Sequence, residues 1–315
     1  MKDNPDFLDQ SEKFEVYYEK TILPTLQRQE KIRIKCLVTL LFLISGVIVW
    51  YFIVKNNFTT SEQEIPLFDW NVLPCFLVLF ICFPMFSYYR KIKESILPLL
   101  INFFGDFEYI YQKPISDQMA QKSKIIKPYV QLKSDDCFEG IYEGIPVSIT
   151  EFKRYEQETI NKNDIQKIRM TKKEQGIIFL ADMNKKFSGQ TIVVKDKGFM
   201  NRFDKYKNLQ RVGLESPEFE KAYEVYSDNQ IEARYILTAV MLDYLVELKQ
   251  IFPNVEASFF DEKILLKINI RDNFFECSSL FSSAVNKKRI KNIFKQFYIL
   301  FSIVKILHLN QKPML

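Results

Sequence analysis

The chain has 315 residues, with 44 Lys and Arg against 39 Asp and Glu, a net charge of +5 and 47% hydrophobic residues. That modest positive balance suits a protein beside an anionic membrane leaflet and argues against a nucleic-acid binder, which needs a concentrated basic face. Five Cys and one His (His308), with no CxxC or Cys/His cluster, leave a disulfide framework and a Cys/His zinc site unsupported.

In chain order, Phe14, Tyr17, Tyr18, Thr21, Ile22 and Leu26 recur at helical spacing and predict a cytoplasmic amphipathic helix over 1–35, kinked at Pro24. Two uncharged apolar runs follow, Cys36–Val54 and Val72–Tyr89. At about 1.5 Å per residue, each reaches across the roughly 30 Å hydrocarbon core of a bilayer. Trp50 and Trp70 fall at the ends facing the short connection, and Tyr88 and Tyr89 near the other interface, where aromatic rings settle at headgroup level. The expectation is a transmembrane hairpin with spans at 36–54 and 72–89 and an external loop at 55–71. Arg28, Lys31, Arg33 and Lys35 precede the first run against Glu30 alone, and Arg90, Lys91 and Lys93 follow the second against Glu94. The connection holds Lys55 against Glu62, Glu64 and Asp69, so both termini are expected in the cytoplasm. The first run begins late and offers no small-residue cleavage site, so it reads as a retained anchor rather than a signal peptide.

Beyond the second run, Ile92, Ile96, Leu99, Phe103, Phe107 and Ile110 continue a helical rhythm, predicting a helix and linker over 90–135. This helix and the N-terminal one either pair as an antiparallel stalk or lie on the membrane surface. From 136 to 315 the pattern predicts a soluble α+β domain with a mainly antiparallel sheet packed by two long helices. Expected strands are Phe138–Tyr142, Ile145–Phe152, Gly176–Ala181, Thr191–Val194, Leu209–Leu214, Ala257–Phe260 and Ile264–Ile270. Glu143-Gly144 marks a turn, and Pro146 suggests an edge strand. Tyr155–Glu174 is polar without apolar rhythm and reads as a loop insertion. Helices are expected over Asp228–Ile251 and Asn286–Leu307, the latter sealed onto the sheet by Phe294, Phe297, Ile299, Leu300 and Phe301.

Ser227-x-x-Gln230 has the form of a capping box, with Asp228 at the positive end of the helix dipole. Asp182, Glu215, Asp228, Glu232, Arg234 and Asp261 form the candidate structural or ligand cluster. On one uninterrupted helix, Arg234 lies opposite the sector of Glu232, Asp243, Glu247 and Gln250, which predicts a buried Arg paired with Glu215, or with Asp182 or Asp261. The rival reading puts Arg234 in a cleft, binding an anionic ligand. No metal-motif spacing, nucleophile elbow or phosphate-cradling glycine loop is present, so no catalytic, cofactor or metal residue is assigned. Lys122, Lys124 and Lys127, with Lys287, Lys288, Arg289, Lys291 and Lys295, read as contacts to anionic lipid or as an ordinary solvated face.

The segment Leu214–Thr238, Phe138-Glu139-Gly140-x-Tyr142-x-Gly144, Asp182…Phe187-x-Gly189-x-Thr191 and Ser258-Phe259-x-Asp261 together resemble a family of bacterial two-span membrane proteins, domain-of-unknown-function family 3137. The resemblance implies a bacterial inner-membrane location and brings no known activity, cofactor or catalytic residue. Such proteins are often encoded beside LemA-type membrane proteins, which points to one as a partner; a homo-oligomer is the other expectation, with no nucleic acid. The function expected is a non-enzymatic, membrane-anchored cytoplasmic binding or scaffold module engaging another envelope protein. The alternative is a membrane-tethered hydrolase using the scattered carboxylates.

Overall fold

The computed structural model describes residues 5–58, 88–162, 165–183, 185–196, 206, 208–270 and 273–309. Most of the expected external loop and all of the second apolar run except Tyr88 and Tyr89 lie outside them. The chain divides into two compact units, Met1–Phe103 with Glu276–Ile293, and Phe104–Phe275 with Phe294–Leu315.

In the first unit, α1 (Pro5–Tyr17) runs through a π-helical turn (Tyr18–Ile22) into α2 (Leu23–Phe58). Pro24, the expected site of a kink, follows directly on this wide turn and lies in the first turn of α2. Proline cannot donate to a carbonyl four residues back and its ring collides with it. Here the Leu23 N–H reaches back five residues to the Tyr18 carbonyl, loosening the turn that Pro24 must follow. The widening has a second effect. Phe14, Tyr18, Ile22 and Leu26 recur every four residues and are all buried, a spacing that drifts around an ordinary helix of 3.6 residues per turn but stays aligned through a wider one. That buried stripe meets α3 (residues 88–101), whose Ile92, Ile96, Leu97, Leu100 and Ile101 are equally buried. Phe14 packs edge-on against Phe103 at 5.3 Å, Tyr17 donates to the Leu99 carbonyl at 2.9 Å, and Gln29 donates to Ser95 Oγ at 2.9 Å. The contacts run in opposite directions along the two helices: an antiparallel stalk. One described helix, Pro5–Trp50, is long and apolar enough to cross a membrane, and none of its most apolar stretch is buried.

The second unit is built on a sheet whose nine described strands are β1 (Asp106–Tyr111), β2 (Gln131–Tyr142), β3 (Ile145–Lys162), β4 (Ile165–Asp182), β5 (Thr191–Lys195), β6 (Gln210–Val212), β7 (Tyr223–Ser227), β8 (Val255–Phe260) and β9 (Lys263–Asn269). Their order is β1-β2-β3-β4-β9-β8-β5-β7-β6, with every neighbouring pair antiparallel. The β2–β3 turn is Glu143-Gly144, both at positive φ (50° and 81°), the geometry that matches a two-residue hairpin to strand twist. Pro146 is not on an edge strand, because β3 pairs with β2 and β4. It sits one residue before the β4 pairing begins at Val147, where its missing N–H leaves no ladder bond broken.

Three other expectations change. Tyr155–Glu174 is mainly strand, not loop: β3 and β4 continue as a two-stranded arm paired from Tyr155↔Lys172 to Lys162↔Ile165. Cross-strand polar pairs, including Thr171 to Glu158 at 2.9 Å, take the place of an apolar stripe. The sheet starts at β1, so Phe107 and Ile110 belong to a strand rather than to the preceding helix. The expected helix Asp228–Ile251 is two helices, α6 (Gln230–Ile236) and α7 (Ala239–Ile251), separated where Leu237 leaves helical geometry (φ −89°, ψ 68°).

The helices α4 (Asp117–Ser123), α5 (Pro217–Glu220) and α8 (Lys287–Leu309) complete the order. Phe297 of α8 contacts Phe138 and Phe275 at 5.1 and 4.9 Å, and Phe301 stacks on Tyr142 at 4.5 Å, so these rings seal α8 onto the sheet as expected. Tyr244 of α7 donates to the Ile299 carbonyl at 3.1 Å. A separate buried cluster joins Ala120 of α4 to Ile125, Phe152, Ile178, Ile192, Phe260 and Leu265.

Candidate functional site

Four of the six residues singled out by sequence fall along one rim of the sheet. Phe187 is buried and anchors the stretch leading to Gly189-Gln190. Thr191 opens β5, and its hydroxyl meets that of Ser227, which closes β7, at 2.9 Å. The intervening loop is held by carboxylates: Glu232 accepts from the Ser188 and Gly189 amides at 3.3 and 2.7 Å, and Asp228 from the Gln190 amide at 2.7 Å. A Cβ on Gly189 would approach Glu232 Oε2 to 2.6 Å and Asp228 Oδ1 to 2.7 Å, so a side chain there would displace the carboxylates that hold the loop. The Gly189 and Ser188 amides hold the Glu232 carboxyl below its ordinary range. Gln190 donates onward to the Lys122 carbonyl at 2.5 Å, and Lys122 pairs with Asp261 at 2.6 Å. Asp182, at the end of β4, pairs with Lys263 across from it. These acids therefore fasten loops and turns.

Glu215 and Arg234 lie apart from that rim. Arg234 is exposed and donates to the Gln230 and Gly213 carbonyls at 3.1 and 3.3 Å, not to Glu215, which is also exposed. The expectation of burial fails because the angular argument ran through the break at Leu237: three of its four reference residues belong to α7, whose phase is independent of α6. The cap is displaced as well. Asn229, not Ser227, is the N-cap of α6, its Oδ1 accepting from the Ile231 and Glu232 amides at 3.1 and 3.2 Å. Ser227 instead accepts from the Asn229 amide at 3.1 Å as the chain leaves β7.

A site that sequence reasoning missed lies beneath the central strands. Lys267 of β9 is 1% exposed, directly opposite Glu256 of β8, and pairs with it at 2.6 Å. Lys267 also donates to the Ile125 carbonyl at 2.6 Å and lies 4.0 Å from Glu174. Glu174 takes Arg154 of β3 at 2.7 Å, and Arg154, 3% exposed, further donates to the Pro128 carbonyl at 2.6 Å. Burial opposes the Arg154 charge, but Glu156 and Glu174 outweigh it and raise its pKa. Over this network opens a recess of about 450 Å³ lined by Lys127, Lys172, Lys173 and Lys195 with Glu174 and Glu256. Both acids are already matched by buried cations and Lys173 pairs with Glu158, so the remaining lysines, Lys127 and Lys172 among them, leave the recess positive and suited to an anionic group. The available signal was a lone Lys inside the apolar strand Ile264–Ile270.

Among the described residues, Asp135, Asp136 and Glu151 place one carboxylate oxygen each within 4.8 Å of one another. A β-bulge does this, since the β2–β3 register passes from Ser134↔Phe152 to Cys137↔Thr150, setting two acids opposite one. Lys153 reaches Asp135 at 3.2 Å and Tyr109 donates to Asp136 at 2.8 Å. The donors are of the hard oxygen type that divalent cations take. On the N-terminal part of α8, Lys287 pairs with Glu15 and Glu19 at 2.7 and 3.0 Å, and Lys291 with Glu15, so these two basic charges are met within the protein.

Residues 173–309 match the family described as protein of unknown function (DUF3137). The DUF3137 match takes in the rim acids, Lys267 and Glu256, and leaves out Arg154 and the Asp135, Asp136, Glu151 group. No curated protein matches the sequence. Among solved structures, the mycobacterial trehalose monomycolate transport factor A, TtfA, is similar at 13% identity and a TM-score of 0.36, over 68% of this chain and 94% of its own. A likeness at that level carries no functional argument.

Proposed function

We propose that the chain is a membrane-anchored binding module: a two-span hairpin in the bacterial inner membrane with both termini cytoplasmic, presenting the sheet unit to another envelope protein. The observation that carries this reading is the apolar helix Pro5–Trp50, unburied in its most apolar window although its N-terminal part is packed into a stalk. An unburied apolar helix of that length finds its solvent in lipid. The lysine-lined recess supports a partner that offers an acidic segment. A second copy of the chain and a LemA-type membrane protein are the candidate partners. The full chain should remain in the membrane pellet after alkaline carbonate extraction, and a photo-crosslinker at Lys172 should yield one discrete adduct with either partner. Release of the full chain into the soluble fraction would overturn the anchor, and absence of an adduct would overturn the recess as contact.

The alternative is a membrane-tethered hydrolase. Of the carboxylates first considered for it, Asp182, Asp228, Glu232 and Asp261 are engaged with loops and lysines and Glu215 stands apart from them; the grouping that favours it is Asp135, Asp136 and Glu151. Calorimetric titration with Mg²⁺ and Mn²⁺ separates the two: stoichiometric binding lost in Glu151→Gln selects the hydrolase.

A further inference from the structure

We infer that the base of the stalk carries a binding site for the headgroup of an anionic phospholipid, formed by Arg28 and Lys31 of α2 against the loop around Val285. The inference rests on the membrane reading above.

A recess of about 470 Å³ is lined by Pro24, Gln27, Arg28, Glu30, Lys31 and Val285. The loop is tied to α2 and α3 rather than draped over them. Arg33 donates to the Leu280 carbonyl at 2.8 Å, the Leu280 amide donates to Tyr89 at 3.3 Å, and the Ala284 amide donates to Glu30 at 2.7 Å. Glu30 is the one acid lining the recess, and its charge is spent on Arg33 at 2.6 Å and on that amide. Arg33 and then the Ala284 amide hold the Glu30 carboxyl below its ordinary range, so it stays ionised and engaged. The side chains of Arg28, Lys31 and Lys35 are exposed and make no hydrogen bond or ion pair among the described residues.

At 100° per residue, Arg28, Lys31 and Lys35 occupy one sector of α2 about 60° wide. The stripe is about 10 Å long at 1.5 Å per residue, enough to cross the roughly 5–7.5 Å headgroup layer on one side of a bilayer's hydrocarbon core. It ends at Cys36, the first residue of the apolar run. On the loop, Phe281 is 73% exposed and adjoins Leu280, so it stands level with Arg33, a few residues from where that run begins. Phosphate-binding cations and an exposed aromatic ring thus share one level next to a membrane-length helix. The ligand this arrangement takes is an amphiphile with an anionic head and apolar tails, not a free anion or an acidic peptide. Of the basic residues that follow the second apolar run, Arg90 pairs with Glu94 at 2.7 Å and Lys93 with Glu276 at 3.5 Å.

The test uses the full chain reconstituted in nanodiscs of equimolar phosphatidylcholine and phosphatidylglycerol, with retained lipid read by native mass spectrometry after mild detergent extraction. The wild type should retain phosphatidylglycerol in preference to phosphatidylcholine. Arg28→Gln combined with Lys31→Gln should weaken that retention about thirtyfold, each cation near an anionic surface being worth about fivefold. Lys13→Gln, at the other end of the stalk, should change nothing. Equal retention of both lipids by the wild type, unchanged retention by the double variant, or equally tight binding of soluble glycerol phosphate each overturns the site. Failure of the wild type to float with vesicles overturns the membrane reading itself. Flotation with no preference overturns this inference alone.

Discussion

Lys267 occupies the middle of a strand whose neighbours on both sides are apolar and buried, and its ammonium is matched by Glu256, Glu174 and the Ile125 carbonyl. A buried pair contributes little net energy compared with an apolar substitute, but removing one partner strands the other. Lys267→Met should therefore destabilise the full chain by about 3–5 kcal/mol in urea melts, while Lys267→Met with Glu256→Leu should recover most of the loss. At the rim, the amides that depress the Glu232 pKa make its contribution depend on pH. The stabilisation is fully present above the unfolded value of about 4.3 and is lost as pH falls through the lower folded value. Glu232→Gln should cost about 1 kcal/mol at pH 7, solvent screening included. The difference in melting midpoint between wild type and variant should close as the pH falls below the ordinary carboxylate range; a constant gap on acidification would remove Glu232 from the loop's support.

At the level of elements, what could be read from sequence follows from which side chains meet apolar partners. β3 up to Phe152, β5, β8, β9 and α8 bury at least one regular face, and their periodicity was visible within a residue or two, whereas β2 was read only from Phe138, seven residues after it begins at Gln131. The arm of β3 and β4 beyond Tyr155 has no such face; its pairing is polar and cross-strand, so its sequence carries the composition of a loop. β7 went unassigned just before the expected helix, because Tyr223–Ser227 is short and buried on both sides, and periodicity cannot type such a run. The break between α6 and α7 involves neither Gly nor Pro, and that break alone misplaced Arg234. The rim acids were found as residues but not as a function, since their role as acceptors for loop amides depends on where β5 and β7 meet. The arm itself is separable. β2 pairing ends at Gln131↔Tyr155 and β9 pairing at Gly176↔Asn269. Replacing residues 157–170 by Asn-Gly, which keeps Arg154 and Glu174, should leave a single cooperative melt with a midpoint within a few degrees of the wild type. Loss of cooperativity would mean that the arm is part of the folding unit.

For the whole molecule, the basic flanks of the apolar runs predict that both termini face the cytoplasm. A Cys replacing Gln63 in a cysteine-free background should react with a membrane-impermeant maleimide in intact spheroplasts, and one replacing Lys13 only after permeabilisation; the reverse pattern inverts the topology. The strand order has a further consequence, one of time. β4 lies in the middle of the sheet, yet its second neighbour is β9, which begins at Lys263, about 80 residues after β4 ends. At roughly 5–20 residues per second of synthesis, that edge waits about 4–16 s on the ribosome. During this interval the strand that carries Ile177 and Phe179, fully buried in the finished protein, offers open amides and carbonyls beside apolar side chains. The nascent chain is thus most open to misassociation while the segments that supply β8 and β9 are still being made. On the proposed topology, membrane insertion of the hairpin would then already be complete, holding each chain apart from its neighbours during that wait.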